Sequence, residues 1–158
     1  MTITATDLRS RSRDALDEIF RASPAGPLPT GRSRGTALVF PGSLADRIVG
    51  GLIRLLVWRG KMFRSDETGT YLKNLISPLS LELFRAQVYE DDSWFDDGRA
   101  IVLDYSKSSF LVRMIRDEIR SVGDGMYLGQ VFLGRKRVIL FMLEFPSPGR
   151  ARPGTVEA

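Results

Sequence analysis

Asp104 and Tyr105 close the stretch AIVLDYSK (Ala100 to Lys107), which otherwise reads as a strand apolar on both faces. Alternation puts Asp104 on the side of Ala100 and Val102, and Tyr105 on the side of Ile101 and Leu103. If the strand lines a barrel, one of the two projects inward. An interior carboxyl is costly unless it is paired or protonated. Burial would also raise its pKa and make it a usable base near neutrality. The competing reading is a strand end, with Asp104 capping a turn or pairing with an arginine.

RDEIR (Arg116 to Arg120) poses the same question. As a strand it sets Arg116, Glu118 and Arg120 on one face and Asp117 on the other, beside Ile115 and Ile119. The alternating-sign face predicts a solvated cross-strand ladder, although Arg116 and Glu118 also stand as ligand contacts. Asp117 among apolar neighbours resembles Asp104, and two carboxyls in one pocket can divide acid and base roles. Trp58 and Lys61 come next: a lysine at a pocket mouth can meet an acidic headgroup, or it is a surface lysine beside a core tryptophan. Tyr127, which interrupts an apolar strand, can bond a carbonyl or serve with Tyr105 as an oxyanion partner. Catalytic candidates are therefore Asp104, Tyr105 and Asp117; ligand-binding candidates are Trp58, Lys61, Arg116, Glu118 and Tyr127.

Composition narrows the chemistry. The 158 residues include no cysteine and no histidine. Thiolate nucleophiles, Ser-His-Asp machinery and Cys- or His-ligated zinc are excluded, so proton transfer falls to Asp, Glu, Lys, Tyr or water. No EF-hand spacing, phosphate loop or dinucleotide fingerprint occurs, and neither a metal nor another cofactor is expected. The net charge is +4, but the 23 basic residues are interleaved with 19 acidic ones. RSRSR (Arg9 to Arg13) is the one small basic cluster, and it reads as a solvated helix start. No nucleic-acid stripe is expected. No apolar run reaches the ~18 residues of a membrane span, and the opening residues do not read as a signal peptide. The expectation is a cytoplasmic chain without stable membrane insertion.

The elements that must position these residues follow from periodicity. Thr6 to Ala22 predicts a helix with Leu8, Leu16, Ile19 and Phe20 on one face, ended by SPAGPLP. Gly35 to Gly42 predicts a strand. Ser43 opens a second apolar helix carrying the Gly50-Gly51 pair. Beyond Gly60, short apolar runs alternate with turn signals. Strands are expected near 61–64, 70–76, 83–90, 99–106, 115–122, 126–133 and 137–145, with 108–122 open between helix and strand. DETG, DDG, VGDG and LGRK supply turns. Residues 146–158 read as a flexible tail. Seven or eight antiparallel strands suit a small closed barrel. Strands apolar on both faces require cover outside as well as inside, from helices or from a second copy, so a homodimer stays open.

Several phrases carry a resemblance: an N-terminal helix followed by GRSRG (Gly31 to Gly35), then WRGKMF (Trp58 to Phe63), then LDYSKSSFLVRMIRDEIRSVGDGMYLG (Leu103 to Gly129). Together they resemble the small bacterial proteins named for a Gly-x-Trp-x-Gly motif and related to calycins, with Ser33 in place of the naming tryptophan. The resemblance implies a lipocalin-like barrel and supplies no activity. The reading is thus mainly β (α+β): an antiparallel lipocalin-like β-barrel domain over 1–145 with two N-terminal helices covering it. Its expected function is binding of a small hydrophobic metabolite or lipid. The alternative is a cofactor-free isomerase or cyclase acting on a carbonyl-bearing apolar substrate in the same cavity.

Overall fold

The computed structural model describes residues 3–38, 40, 58–76, 81–110 and 112–146. Two short helices stand where the sequence predicts one. Thr4 caps α1 (Ala5–Ser10): its hydroxyl accepts the Asp7 amide at 3.2 Å, and Asp7 accepts the Thr4 amide at 2.9 Å. Ser12 caps α2 (Arg13–Ala22) by accepting the Ala15 amide at 3.2 Å. A short hydroxyl side chain competes for backbone donors and favours a cap over a helix interior. Hence Arg11 and Ser12 are extended, and the expected helix is interrupted there. The second expected helix, from Ser43 through Gly50-Gly51, and the tail beyond Pro146 lie outside the described residues.

The strands are β1 (Gly31–Arg32), β2 (Arg34–Leu38), β3 (Trp58–Asp66), β4 (Gly69–Ile76), β5 (Leu81–Asp92), β6 (Arg99–Asp104), β7 (Ile115–Gly123), β8 (Met126–Leu133) and β9 (Lys136–Glu144). They form one antiparallel sheet in the order β1-β3-β4-β5-β6-β7-β8-β9-β2. Because β1 pairs with β3 while β2 pairs with β9, the Gly31–Leu38 stretch joins the two edges and nearly closes a barrel. The sequence predicts seven or eight strands. The ninth arises because the closing strand breaks at Ser33 as it changes partner. There the Ser33 amide and hydroxyl both donate to the Lys61 carbonyl at 2.9 Å, and the hydroxyl accepts the Lys61 amide at 3.0 Å. Gly60 makes this approach possible. Its φ is +144°, and a Cβ there would overlap the Ser33 carbonyl.

Both faces of the sheet are covered. Inside, Phe63, Leu72, Val88, Ile101, Leu103, Ile119, Phe141 and Leu143 form one buried cluster. The Phe141 ring fills the space a side chain at Gly129 would occupy. Outside, Leu38, Leu128, Leu140 and Met142 meet Leu8, Leu16 and Phe20 of the helices. That is the helix cover demanded by the two-sided apolarity of 137–145. Residues 112–114 form turns, and 115–123 is strand, which settles the ambiguity over 108–122. Among the described residues no helix is long and apolar enough to cross a membrane.

The two ends of the barrel differ. The linker from α2 to β1 closes one: Ser121 donates its amide to Pro24 and Ala25 carbonyls at 3.0 and 3.2 Å. Tyr127 donates its hydroxyl to the Pro27 carbonyl at 2.7 Å, and Ala25 joins the inner cluster. The opposite end carries the β6–β7 and β8–β9 connections.

Gly60→Ala is expected to cost roughly 1–3 kcal/mol, the scale of a forced backbone conformation, read as a lower urea midpoint. A melt unchanged from the parent would show that the Ser33 contact tolerates a methyl.

Candidate functional site: a polar cluster inside the barrel

Four polar side chains meet in the apolar interior. Lys61 of β3 and Asn74 of β4 are directly opposed across the ladder. Asp117 of β7 faces Leu103 of β6, and Tyr105, two residues beyond Leu103, shares that inward side. The Lys61 ammonium donates to Asp117 Oδ2 at 2.9 Å, to the Tyr105 hydroxyl at 2.7 Å and to Asn74 Oδ1 at 2.8 Å. Asn74 Nδ2 donates to the Tyr105 hydroxyl at 2.9 Å and to the Phe84 carbonyl at 3.3 Å. Phe84 is the residue skipped where β5 bulges against β4, between the Arg85 and Leu83 partners. Its φ is +56°, and the bulge turns its carbonyl toward Asn74. Lys61, Tyr105 and Asp117 are each 3% exposed, so water screens none of these contacts.

Three oxygen acceptors around Nζ account for three N–H donors, the state of a charged lysine. Burial opposes that charge, but Asp117 and Tyr105 more than offset it and raise the lysine pKa above its ordinary value. Burial also pushes the Asp117 carboxyl up, with Lys61 pulling the other way. The donor count supports an ammonium–carboxylate pair. Burial pushes the Tyr105 phenol up to about 12, with Lys61 opposing, so the hydroxyl keeps its proton at neutral pH. One atom is left over: Asp117 Oδ1 is buried and has no hydrogen-bond partner among the described residues. A buried carboxylate oxygen without a donor carries the full desolvation penalty. It can accept a hydrogen bond from a guest molecule, or take a proton.

The candidate residues divide across the wall. Tyr105, Asp117 and Lys61 come together inside. Asp104 does not: it lies on the outer side, accepting the Tyr89 hydroxyl at 2.8 Å and the Ser106 amide at 2.8 Å. Despite partial burial, these bonds hold its carboxyl below the usual range. It behaves as a turn cap, and among the described residues no second carboxyl pairs with Asp117. Tyr127 points inward at the closed end and is bound to the linker. Trp58 opens β3, and its side chain lies outside the described residues.

Arg116 and Glu118 face outward, and the solvated ladder expected there is overturned. Glu118 is 0% and Arg120 2% exposed, because the tip of the β5–β6 hairpin folds back over them. Glu118 accepts the Ser93 hydroxyl at 2.5 Å, the Trp94 amide at 2.8 Å, Gln130 Nε2 at 3.0 Å and Arg116 Nε at 3.1 Å. The Arg116 guanidinium also sits 4.3 Å from the Trp94 ring centre. Arg120 donates to both Asp96 oxygens at 2.7 and 2.6 Å. Asn74 is the member of the inner cluster that sequence reasoning missed. Its signal was present: in YLKNLI it takes the position two after Leu72, an inward site. A cleft of about 790 Å³ lies at the closing seam, lined by Arg32, Arg34, Arg59, Glu144 and Phe145 among others.

With this geometry in hand, comparison with known proteins is informative about the fold alone. A crystal structure of a protein from Thermomonospora curvata is similar, with a TM-score of 0.54 and 20% identity over 85% of this chain and 87% of that one. No family model matches the sequence, and no curated protein does so.

Asp117→Ala should destabilise the chain by about 3–5 kcal/mol, since it strands a buried ammonium. The double variant Lys61→Met/Asp117→Leu should lose much less. Equal losses in urea melts would show that the pair is not the unit. Alkaline unfolding tests Tyr105. Its raised pKa means the stabilisation by the neutral phenol is complete below pH 10 and fades as pH climbs through about 12. Tyr105→Phe should flatten that loss, and a variant with the parent's pH profile would contradict it.

Proposed function

We propose that the barrel binds one small, mainly apolar molecule in its interior, held by a hydroxyl or amine that donates to Asp117 Oδ1. The observation that carries this reading is that oxygen: buried, charged through its pairing with Lys61, and without a donor among the described residues. Apolar neighbours would supply affinity of about 25 cal/mol per Å² buried, and Lys61, Tyr105 and Asn74 would orient the polar group. Entry is from the end carrying the β6–β7 connection. There the half-buried Phe84, Val112, Ile115 and Val131 pack on the inner cluster and must part. A lipocalin-like relation belongs to the same reading. Lys61 lies in WRGKMF and Asp117 in the Leu103–Gly129 stretch, two of the phrases that carry the resemblance to the calycin-related proteins.

A second reading, an isomerase or cyclase without a cofactor, is favoured by one observation. The Tyr105 phenol lies 3.5 Å from Asp117 Oδ2 and stays protonated. Asp117 would then take a proton next to a substrate carbonyl, and Tyr105 would donate to the oxygen that gains charge.

Mass spectrometry of gently purified protein, followed by thermal shifts with fatty acids, terpenoid alcohols and polyketide-like phenols, tests the binding reading. A ligand at roughly a hundredfold excess over Kd should stabilise by about 2.7 kcal/mol. Asp117→Asn should abolish that gain, and Asp104→Asn should leave it intact. Absence of any bound species and of any shift across the panel would overturn the reading. Turnover of a bound carbonyl compound that stops in Asp117→Asn while binding persists would favour the enzyme.

A further inference from the structure

The most exposed large apolar side chains among the described residues are Phe110 at 74%, Met114 at 62% and Leu133 at 48%. All three sit at one end of the barrel, in or beside the β6–β7 and β8–β9 connections. The two connections touch: Gly134 donates its amide to the Met114 carbonyl at 2.9 Å. Four exposed cations lie in or beside the same two connections, Lys107, Arg113, Arg135 and Lys136, and the Arg135 guanidinium stacks 4.1 Å from the Trp94 ring centre. The Arg113 guanidinium lies 4.4 Å from the Phe110 ring centre. Neither 105–116 nor 131–143 contains an Asp or Glu. At the opposite end, the β3–β4 turn carries Asp66 and Glu67, and the β7–β8 turn carries Asp124.

We propose that this end of the barrel docks on anionic lipid bilayers, with Phe110, Met114 and Leu133 entering the interface and the four cations meeting lipid phosphates. Apolar tips among lysine and arginine side chains match the two attractions that hold peripheral proteins to membranes, burial in the acyl boundary and attraction to acidic headgroups. A second copy of the chain is the poorer occupant, because a two-fold contact would set these four cations against their own copies, with the nearby Asp104 already committed to the Tyr89 hydroxyl and the Ser106 amide. The inference stands apart from the interior site, since it rests on surface residues alone, and it holds whether or not the barrel carries a ligand.

The test is co-sedimentation of the full chain with phosphatidylcholine vesicles, with and without phosphatidylglycerol. Binding should require the anionic lipid and weaken as salt rises. Phe110→Ser/Met114→Ser should weaken it about tenfold or more while melting like the parent. The chain has no cysteine, so Phe110→Cys and Glu67→Cys can each carry one polarity-sensitive dye. The dye at 110 should shift to the blue and resist an aqueous quencher on vesicles, and the dye at 67 should do neither. Absence of vesicle binding overturns the proposal. So does a Ser variant that binds like the parent, a like response from both dyes, or a lipid-free dimer that shields position 110.

Discussion

The barrel depends on a single strand that serves two partners. Gly31 and Arg32 pair with β3, and Arg34 to Leu38 pair with β9. At the crossover the regular ladder fails, and the Ser33 hydroxyl stands in for backbone by bonding both the amide and the carbonyl of Lys61. Closure removes the open sheet edges that would otherwise invite pairing with other chains. It also fixes the Lys61 main chain from behind, so that its side chain projects into the enclosed space. The glycine before Lys61 is part of the same device, because the close approach of the Ser33 carbonyl leaves no room for a Cβ at that position.

An enclosed lysine is expensive. Desolvation of the two charges in the pair exceeds what their attraction returns unless the remaining donors and acceptors are also met. Here Asn74 and Tyr105 meet the donors of Lys61, and the bulge at Phe84 supplies an acceptor for Asn74. The cluster stops one bond short, at Asp117 Oδ1. Replacement of all four residues by hydrocarbon would be compatible with a stable barrel. Their presence, together with one acceptor unmet among the described residues, is what separates this interior from a plain core.

Much of this was legible in the residues. Alternation alone set Tyr105 with Ile101 and Leu103, and Asp117 with Ile115 and Ile119, and both side chains are inward. It equally assigned Asp104 to the opposite side; what periodicity lacked was the sign, that is, which side is inside. The turn signals located the hairpins because Gly and Asp there answer local backbone demands. Misjudged features depend on contacts distant in sequence. Arg116, Glu118 and Arg120 have the spacing of a solvated ladder, and only the hairpin tip that lands on them makes them interior. Likewise nothing local in RSRSR distinguishes a helix start from a helix break, since Ser12 suits either. Local pattern left Lys61 open between a pocket lysine and a surface lysine, because its partners lie 13, 44 and 56 residues away.

Arg120 has a role that follows from its three partner residues. From β7 it donates to the Arg99 carbonyl of β6, the Phe20 carbonyl of α2 and the Asp96 carboxylate of the hairpin tip, and its guanidinium lies 4.5 Å from the Phe20 ring centre. Withdrawal of any one of these segments breaks bonds to a charged group worth about 1.5–3 kcal/mol each, a sizeable share of the roughly 5–15 kcal/mol that holds a domain together. Arg120 thus couples helix, hairpin and wall, so that opening one of them weakens the hold on the other two.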